Sequence, residues 1–204
     1  MNEKIKQYCT TLPASFELIS MERKKILEQI STYVRNELME NKRANLVYVC
    51  THNSRRSHFG QIWAQVAAEF YGLKNINTFS AGTERTAFHP NAIAALKELG
   101  FKVNAVEKEE INPKYRLEYG GEKDIVCYSK TIDEVEINPN EKFIAVMTCS
   151  DAEENCPFIP QAKLKIATTY EDPKKYDGTI IQLDKYLERS EQIARECLYV
   201  FSKL

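Results

Sequence analysis

Apolar positions recur along the chain in two alternating rhythms. Leu46 to Cys50 is a short, β-branched apolar run of the kind that forms a buried strand. A polar stretch follows, and then Phe59, Ile62, Trp63, Val66 and Phe70 mark one face of a helix that Gly72 ends. Ile76 to Phe79 reads as a second strand, and Pro90 opens a helix carrying Ile93, Leu96 and Leu99 that Gly100 closes. Further strands are expected in Lys142 to Cys149 and in Leu164 to Ala167. The last segment is a long helix with Leu183, Tyr186, Leu187, Ile193, Ala194, Cys197, Leu198 and Phe201 on its apolar stripe. Strands alternating with helices predict an α/β, flavodoxin-like open parallel sheet of about four strands with flanking helices.

Two segments depart from that rhythm. Residues 1–43 form an N-terminal helical extension, in which Ile26, Leu27, Ile30, Tyr33, Val34 and Leu38 fall at helical spacing behind Ser20 as N-cap. Residues 44–204 are then expected to make up the main α/β domain. Within it, residues 114–130 read as an inserted β-hairpin turning at Gly120 and Gly121.

Composition narrows the function. The 204 residues carry 28 basic and 29 acidic side chains, a net charge of −1, so no broad nucleic-acid surface is expected. Any anion affinity must come from a local site. The first residues lack the apolar core and cleavage pattern of a secretory signal, and no run is long enough to cross a membrane. A cytoplasmic location is therefore expected, where the six cysteines stay reduced and act as buried apolar residues or as reactive thiols.

The segment Cys50, Thr51, His52, Asn53, Ser54, Arg55, Arg56, Ser57 joins the first predicted strand to a helix. Ligands of open α/β sheets bind beyond the carboxyl ends of the strands. There the N–H groups of the loop and of the next helix can converge on one tetrahedral oxyanion. The same field favours the thiolate of Cys50, since helix N-termini and nearby cations stabilise a sulfur anion. Arg56 supplies a planar fork able to hold two oxygens, and Ser57 a hydroxyl for the sulfur. Arg55 adds positive potential, and His52 reads as a surface residue of the loop.

Cys-x5-Arg-Ser after the first strand resembles the low-molecular-weight protein tyrosine phosphatases and the thioredoxin-coupled arsenate reductases that share their fold. Phe79 to Thr83 (FSAGT) and His89 to Leu96 (HPNAIAAL) carry the same likeness, which spans residues 45 to 204 apart from the hairpin and leaves out the extension. His52 stands where that family usually has glycine, a residue free to adopt backbone angles that histidine takes only at a cost.

Cys149 also ends a predicted strand, and in a parallel sheet it opens onto the same edge as Cys50. Cys156 lies seven positions further on, beyond Asp151, Glu153, Glu154 and Asn155; nothing at zinc spacing pairs with the two cysteines, and no metal site is expected. The run resembles the redox segment of the thioredoxin-coupled arsenate reductases. That resemblance implies a relay: Cys50 attacks arsenate, Cys149 attacks the Cys50 sulfur to release arsenite, and Cys156 takes over the disulfide. It also implies thioredoxin as the external dithiol, with no tightly bound cofactor. Tyr170, Glu171, Asp172 and Pro173 match the family's acid loop, making Asp172 the proton donor. By itself, Asp-Pro would read as the start of a turn.

Two other readings share the loop. One is a low-molecular-weight protein tyrosine phosphatase hydrolysing phosphate monoesters through phosphocysteine, with Cys149 and Cys156 guarding Cys50 from oxidation. The other is a non-catalytic oxyanion or redox sensor whose extension contacts a partner. The extension is expected to pack on the domain or to mediate self-association. Cys9, Cys127 and Cys197 are expected to be structural.

Overall fold

The computed structural model describes residues 1–106, 111–137, 141–155, 159 and 161–204. Helices α1 (Glu3–Thr11) and α2 (Met21–Met39) lead into β1 (Ala44–Cys50), α3 (Arg56–Phe70), β2 (Ile76–Gly82) and α4 (Pro90–Glu98). After β3 (Lys102–Ala105), β4 (Tyr115–Glu118) and β5 (Ile125–Cys127) come β6 (Phe143–Met147), α5 (Ser150–Asn155), β7 (Ala162–Ala167) and α6 (Gln182–Phe201). The main sheet has the order β2-β1-β6-β7, parallel throughout, with Cys50 in register with Gly82 and Val49 with Met147. This is the four-stranded open α/β sheet that the alternation of strands and helices predicts. The chain leaves β1 for one neighbour and later returns to its other side, so the crevice of the sheet opens beyond the ends of β1 and β6.

Residues alternate between the two faces of β1. Leu46 and Tyr48 join the larger core with α3, α4 and α6, while Val47, Val49 and Cys50 join a smaller core with Phe143, Ala145, Met147 and Cys149. The hairpin is present, and Tyr115 pairs with Cys127. It is not a lone pair of strands, however. β3 adds to it antiparallel, with Val103 opposite Leu117, and makes a separate three-stranded sheet.

The extension is built into the larger core. Ser20 caps α2 by accepting from the Arg23 N–H at 3.2 Å. Ile5, Leu27, Ile30 and Val34 are buried there, each worth roughly 1.5–3 kcal/mol relative to exposure. Tyr8 lies 5.5 Å from Trp63 and Phe16 5.4 Å from Tyr199, between ring centroids. The Asn2 N–H donates to the Tyr119 carbonyl at 2.7 Å, tying the start of the extension to the end of β4. Among the described residues no helix is long and apolar enough to cross a membrane.

Candidate active site

The loop leaves β1 at Cys50 and enters α3 at Arg56. Its sharp reversal is made at Asn53, whose φ of +43° is a left-handed conformation that asparagine tolerates better than most residues. Position 52 needs no such angle, so histidine fits where glycine is customary. The Asn53 side chain is fully buried and braces the loop from beneath: Nδ2 donates to Ser57 Oγ at 2.8 Å, and Oδ1 accepts from the Lys130 N–H at 2.9 Å. Ser57 Oγ in turn lies 3.1 Å from Cys50 Sγ.

Close approach of β2 fixes the other wall. A Cβ at Gly82 would sit 2.6 Å from the Glu84 carbonyl oxygen and 2.7 Å from both the Asn53 nitrogen and the Thr51 carbonyl oxygen. All three are main-chain atoms, so only glycine fits. The carbonyls of Thr51, His52 and Ser54 are taken up by Glu84, by Thr86 with Ser129, and by His89. Among the described residues, none of the main-chain N–H groups from Thr51 to His58 donates to an acceptor. The loop thus turns its carbonyls outward into hydrogen bonds and keeps its donors free, as an anion cradle requires.

The two arginines divide their work. Arg56 Nη1 donates to the Tyr170 carbonyl at 2.8 Å and Nη2 to Asp172 Oδ2 at 2.6 Å. Its Nε is buried with no acceptor among the described residues, a costly arrangement for a guanidinium N–H unless a ligand oxygen meets it. Asp172 is one-third exposed and also caps the short turn Pro173–Tyr176 by accepting from the Lys174 N–H at 2.9 Å.

Arg55 faces elsewhere. Its Nε donates to the Tyr186 hydroxyl at 2.7 Å and its Nη2 to Asp177 Oδ2 at 3.1 Å. Asp177 also accepts from Tyr186 and Asn91. Burial pulls the Asp177 carboxyl upward, but the hydrogen bonds from Tyr186 and Asn91 and the Arg55 charge outweigh it and leave it below its ordinary value. Burial and the bond to Asp177 push the Tyr186 hydroxyl up to about 12.

The remaining predicted residues fall around this loop. Ser54 Oγ donates to the Ala87 carbonyl at 2.7 Å, and the half-exposed His52 lies 3.5 Å from Glu84. The side chains of Asn53, Ser54 and Arg55 are thus committed to the scaffold. Cys149 follows β6 and is 1% exposed, with its Sγ 3.4 Å from Thr51 Oγ1. Thr148 is pinned beside β1, its N–H and hydroxyl both donating to the Val49 carbonyl, at 2.7 and 2.8 Å. Cys156 lies outside the described residues. Burial pushes Cys9, Cys127 and Cys197 up to about 12, which suits packing and disfavours thiolate chemistry.

Three residues near the loop escaped the reading of the sequence: Gly82, Lys130 and Tyr186. Gly82 lies within the FSAGT run, and a glycine ending a strand beside a ligand loop is itself a signal of close backbone approach. Nothing local marks the other two.

Comparison with known proteins agrees with this geometry. Residues 45–126 match the family "Low molecular weight phosphotyrosine protein phosphatase". An arsenate reductase of Bacillus subtilis is 28% identical over 141 residues, covering 69% of this chain and 81% of that protein. One of Staphylococcus aureus is 29% identical over 129 residues, covering 63% and 77%. Among solved structures, the fold matches a YwlE mutant from Bacillus subtilis (TM-score 0.51, 15% identity, 78% of this chain and 97% of the other). It also matches an arsenate reductase in the phosphate-binding state (TM-score 0.50, 18% identity, 78% and 98%). Loop, sheet and likenesses thus agree: residues 45–126 match the low-molecular-weight phosphotyrosine protein phosphatase family, and arsenate reductases are among the curated proteins that the chain resembles.

Proposed function

We propose that this enzyme reduces arsenate to arsenite with Cys50 as nucleophile and with Cys149 and Cys156 as the thiols that carry the oxidation away. The observation that carries the reading is Cys149: a second reduced thiol set against the anion loop, with its sulfur 3.4 Å from the hydroxyl of the residue next to Cys50.

Arsenate would be seated by the free N–H groups of residues 51–58 and by the Arg56 guanidinium, with Ser57 donating to the Cys50 sulfur. Cys50 attacks arsenic while Asp172 protonates the departing oxygen, which leaves as water. Cys149 then attacks the Cys50 sulfur. An S–S bond forms, the S–As bond breaks, and its electron pair stays on arsenic, taking As(V) to As(III) while two thiols become one disulfide. Cys156 attacks Cys149 and frees Cys50, and an external dithiol of the thioredoxin class reduces the resulting Cys149–Cys156 disulfide.

A second reading is favoured by the extent of the family match, which includes the anion loop and ends before Cys149. In it, the same Cys50, Arg56 and Asp172 hydrolyse phosphate monoesters through phosphocysteine. A thioredoxin assay coupled to NADPH, with arsenate as oxidant, separates the two. Arsenate-dependent NADPH oxidation that disappears in Cys50→Ser, Cys149→Ser and Cys156→Ser supports the reductase. Full turnover in Cys149→Ser, or aryl phosphate hydrolysis without arsenate reduction, would overturn it in favour of the phosphatase.

A further inference from the structure

We propose that Arg23, in the N-terminal extension, is a positioning residue for the anion site, acting through Glu196 and Tyr170 on Arg56. This rests on the reading of the loop as an oxyanion site.

The connection is continuous. Arg23 lies in the first turn of α2 and reaches α6, where its Nε and Nη2 donate to Glu196 Oε2 at 3.0 and 2.8 Å. The same carboxylate oxygen accepts from the Tyr170 hydroxyl at 2.7 Å. Arg23 Nη2 also donates to the Thr168 carbonyl at 2.9 Å, and its guanidinium lies 4.8 Å from the centroid of the Tyr170 ring. Thr168 and Tyr170 lie just after β7, in the segment that leads to the acid loop. At the other end of this segment the Tyr170 carbonyl and the Asp172 carboxylate hold the two terminal nitrogens of Arg56. Residues 168–172 are therefore strung between two guanidiniums, one from the extension and one from the anion loop.

Chemistry favours a positioning role over simple packing. Glu196 is 5% exposed on its side chain, and Arg23 is the cation paired with it. Removing Arg23 leaves a buried carboxylate without its countercharge, and the cheapest relief is for the Tyr170 segment to shift. Such a shift moves the carbonyl and the carboxylate that orient the Arg56 fork, and bidentate recognition depends on that orientation. Arg23 itself touches none of the reacting groups.

The test uses the full reduced chain and inorganic phosphate as the probe. Alkylation of Cys50 by iodoacetamide is followed by peptide mass spectrometry as phosphate is raised, giving a half-protection concentration. For Arg23→Met the expected result is a half-protection concentration raised about tenfold, with the alkylation rate without phosphate unchanged. Arg23→Lys, which keeps the charge but not the fork, should fall between, and in an Arg56→Lys background Arg23→Met should add little further effect. Should Arg23→Met not fold, Tyr170→Phe, which removes only the hydroxyl bond to Glu196, is measured in its place and should raise the value severalfold. An unchanged half-protection concentration in the folded variant, or full additivity with Arg56→Lys, would overturn the proposal. If phosphate fails to protect Cys50 in the unmodified chain, the oxyanion site itself is refuted, and this inference with it.

Discussion

Arg56 donates to the Asp172 carboxylate across 2.6 Å, so the residue assigned to hold the anion and the residue assigned to deliver the proton are already in contact. They come from opposite ends of the chain's catalytic region, one from the start of α3 and one from the loop after β7. The contact ties the placement of one side chain to that of the other.

Replacing Arg56 with lysine should therefore do more than remove one hydrogen bond. Lysine keeps the charge but cannot bond the Tyr170 carbonyl and Asp172 together while facing an oxyanion with a third N–H. Turnover is expected to fall roughly 10²-fold or more, the scale on which losing an oxyanion donor acts. Steady-state kinetics beside a thermal melt test this; near-normal turnover in folded Arg56→Lys contradicts the assigned role.

The relay predicts a trapped intermediate. Reduced Cys156→Ser treated with one equivalent of arsenate should lose two thiols and yield a Cys50–Cys149 disulfide, identified by mass spectrometry of non-reduced peptides. Cys149→Ser should yield no such bond. Recovery of both thiols in Cys156→Ser after arsenite release would rule out Cys149 as the resolving thiol.

Gly82→Ala should damage the site without touching a reactive group. Its Cβ would press within 2.6–2.7 Å of main chain at residues 51, 53 and 84, forcing the loop to move. A loss of stability of roughly 1–3 kcal/mol is expected from overpacking of this kind. Phosphate protection of Cys50 should weaken as well. A variant that melts and binds phosphate like the original would show the loop to be more pliant than its packing implies.

Acid should weaken the fold through His58. This imidazole is fully buried, lies 3.1 Å from Ser80 Oγ and packs on Phe88, and burial, reinforced by the Lys130 charge, holds it well below its ordinary 6.5. His89 is lowered too, by burial and by Arg55. In the unfolded chain His58 gains a proton as pH falls through about 6.5, while in the folded chain it stays neutral. Stability conferred by the neutral form is thus full above that pH and declines below it, by up to about 1.4 kcal/mol per pH unit for one such group. Denaturant melts of the protein and of His58→Asn between pH 7 and pH 5 check this. The variant should have the shallower slope, and equal slopes would remove His58 as a source.

Much of this was legible in the sequence because it is local. The strand, loop and helix around Cys50 are written in a β-branched run, a polar octapeptide and a period of 3.6. Ser20 before Met21 announces α2, and Gly120 with Gly121 announces the hairpin. What was missed is non-local or weakly patterned. Lys102–Ala105 has one buried residue, Val103, and becomes a strand because β4 offers it an edge. The separation of duties between the adjacent Arg55 and Arg56 is decided by Tyr186 and Asp177, more than a hundred positions downstream. Nor does spacing reveal that the left-handed turn of the loop falls on Asn53, leaving His52 unstrained.

The burial of Cys50 and Cys149, 4% and 1% exposed, has a bearing on timing. A sulfur shielded this way is beyond the reach of a bulky oxidant or reductant in solution, and only a small molecule or anion entering the cradle, or a neighbouring side chain, can begin its chemistry. In the proposed relay, oxidation would therefore enter at the inner pair of sulfurs and leave through an outer thiol.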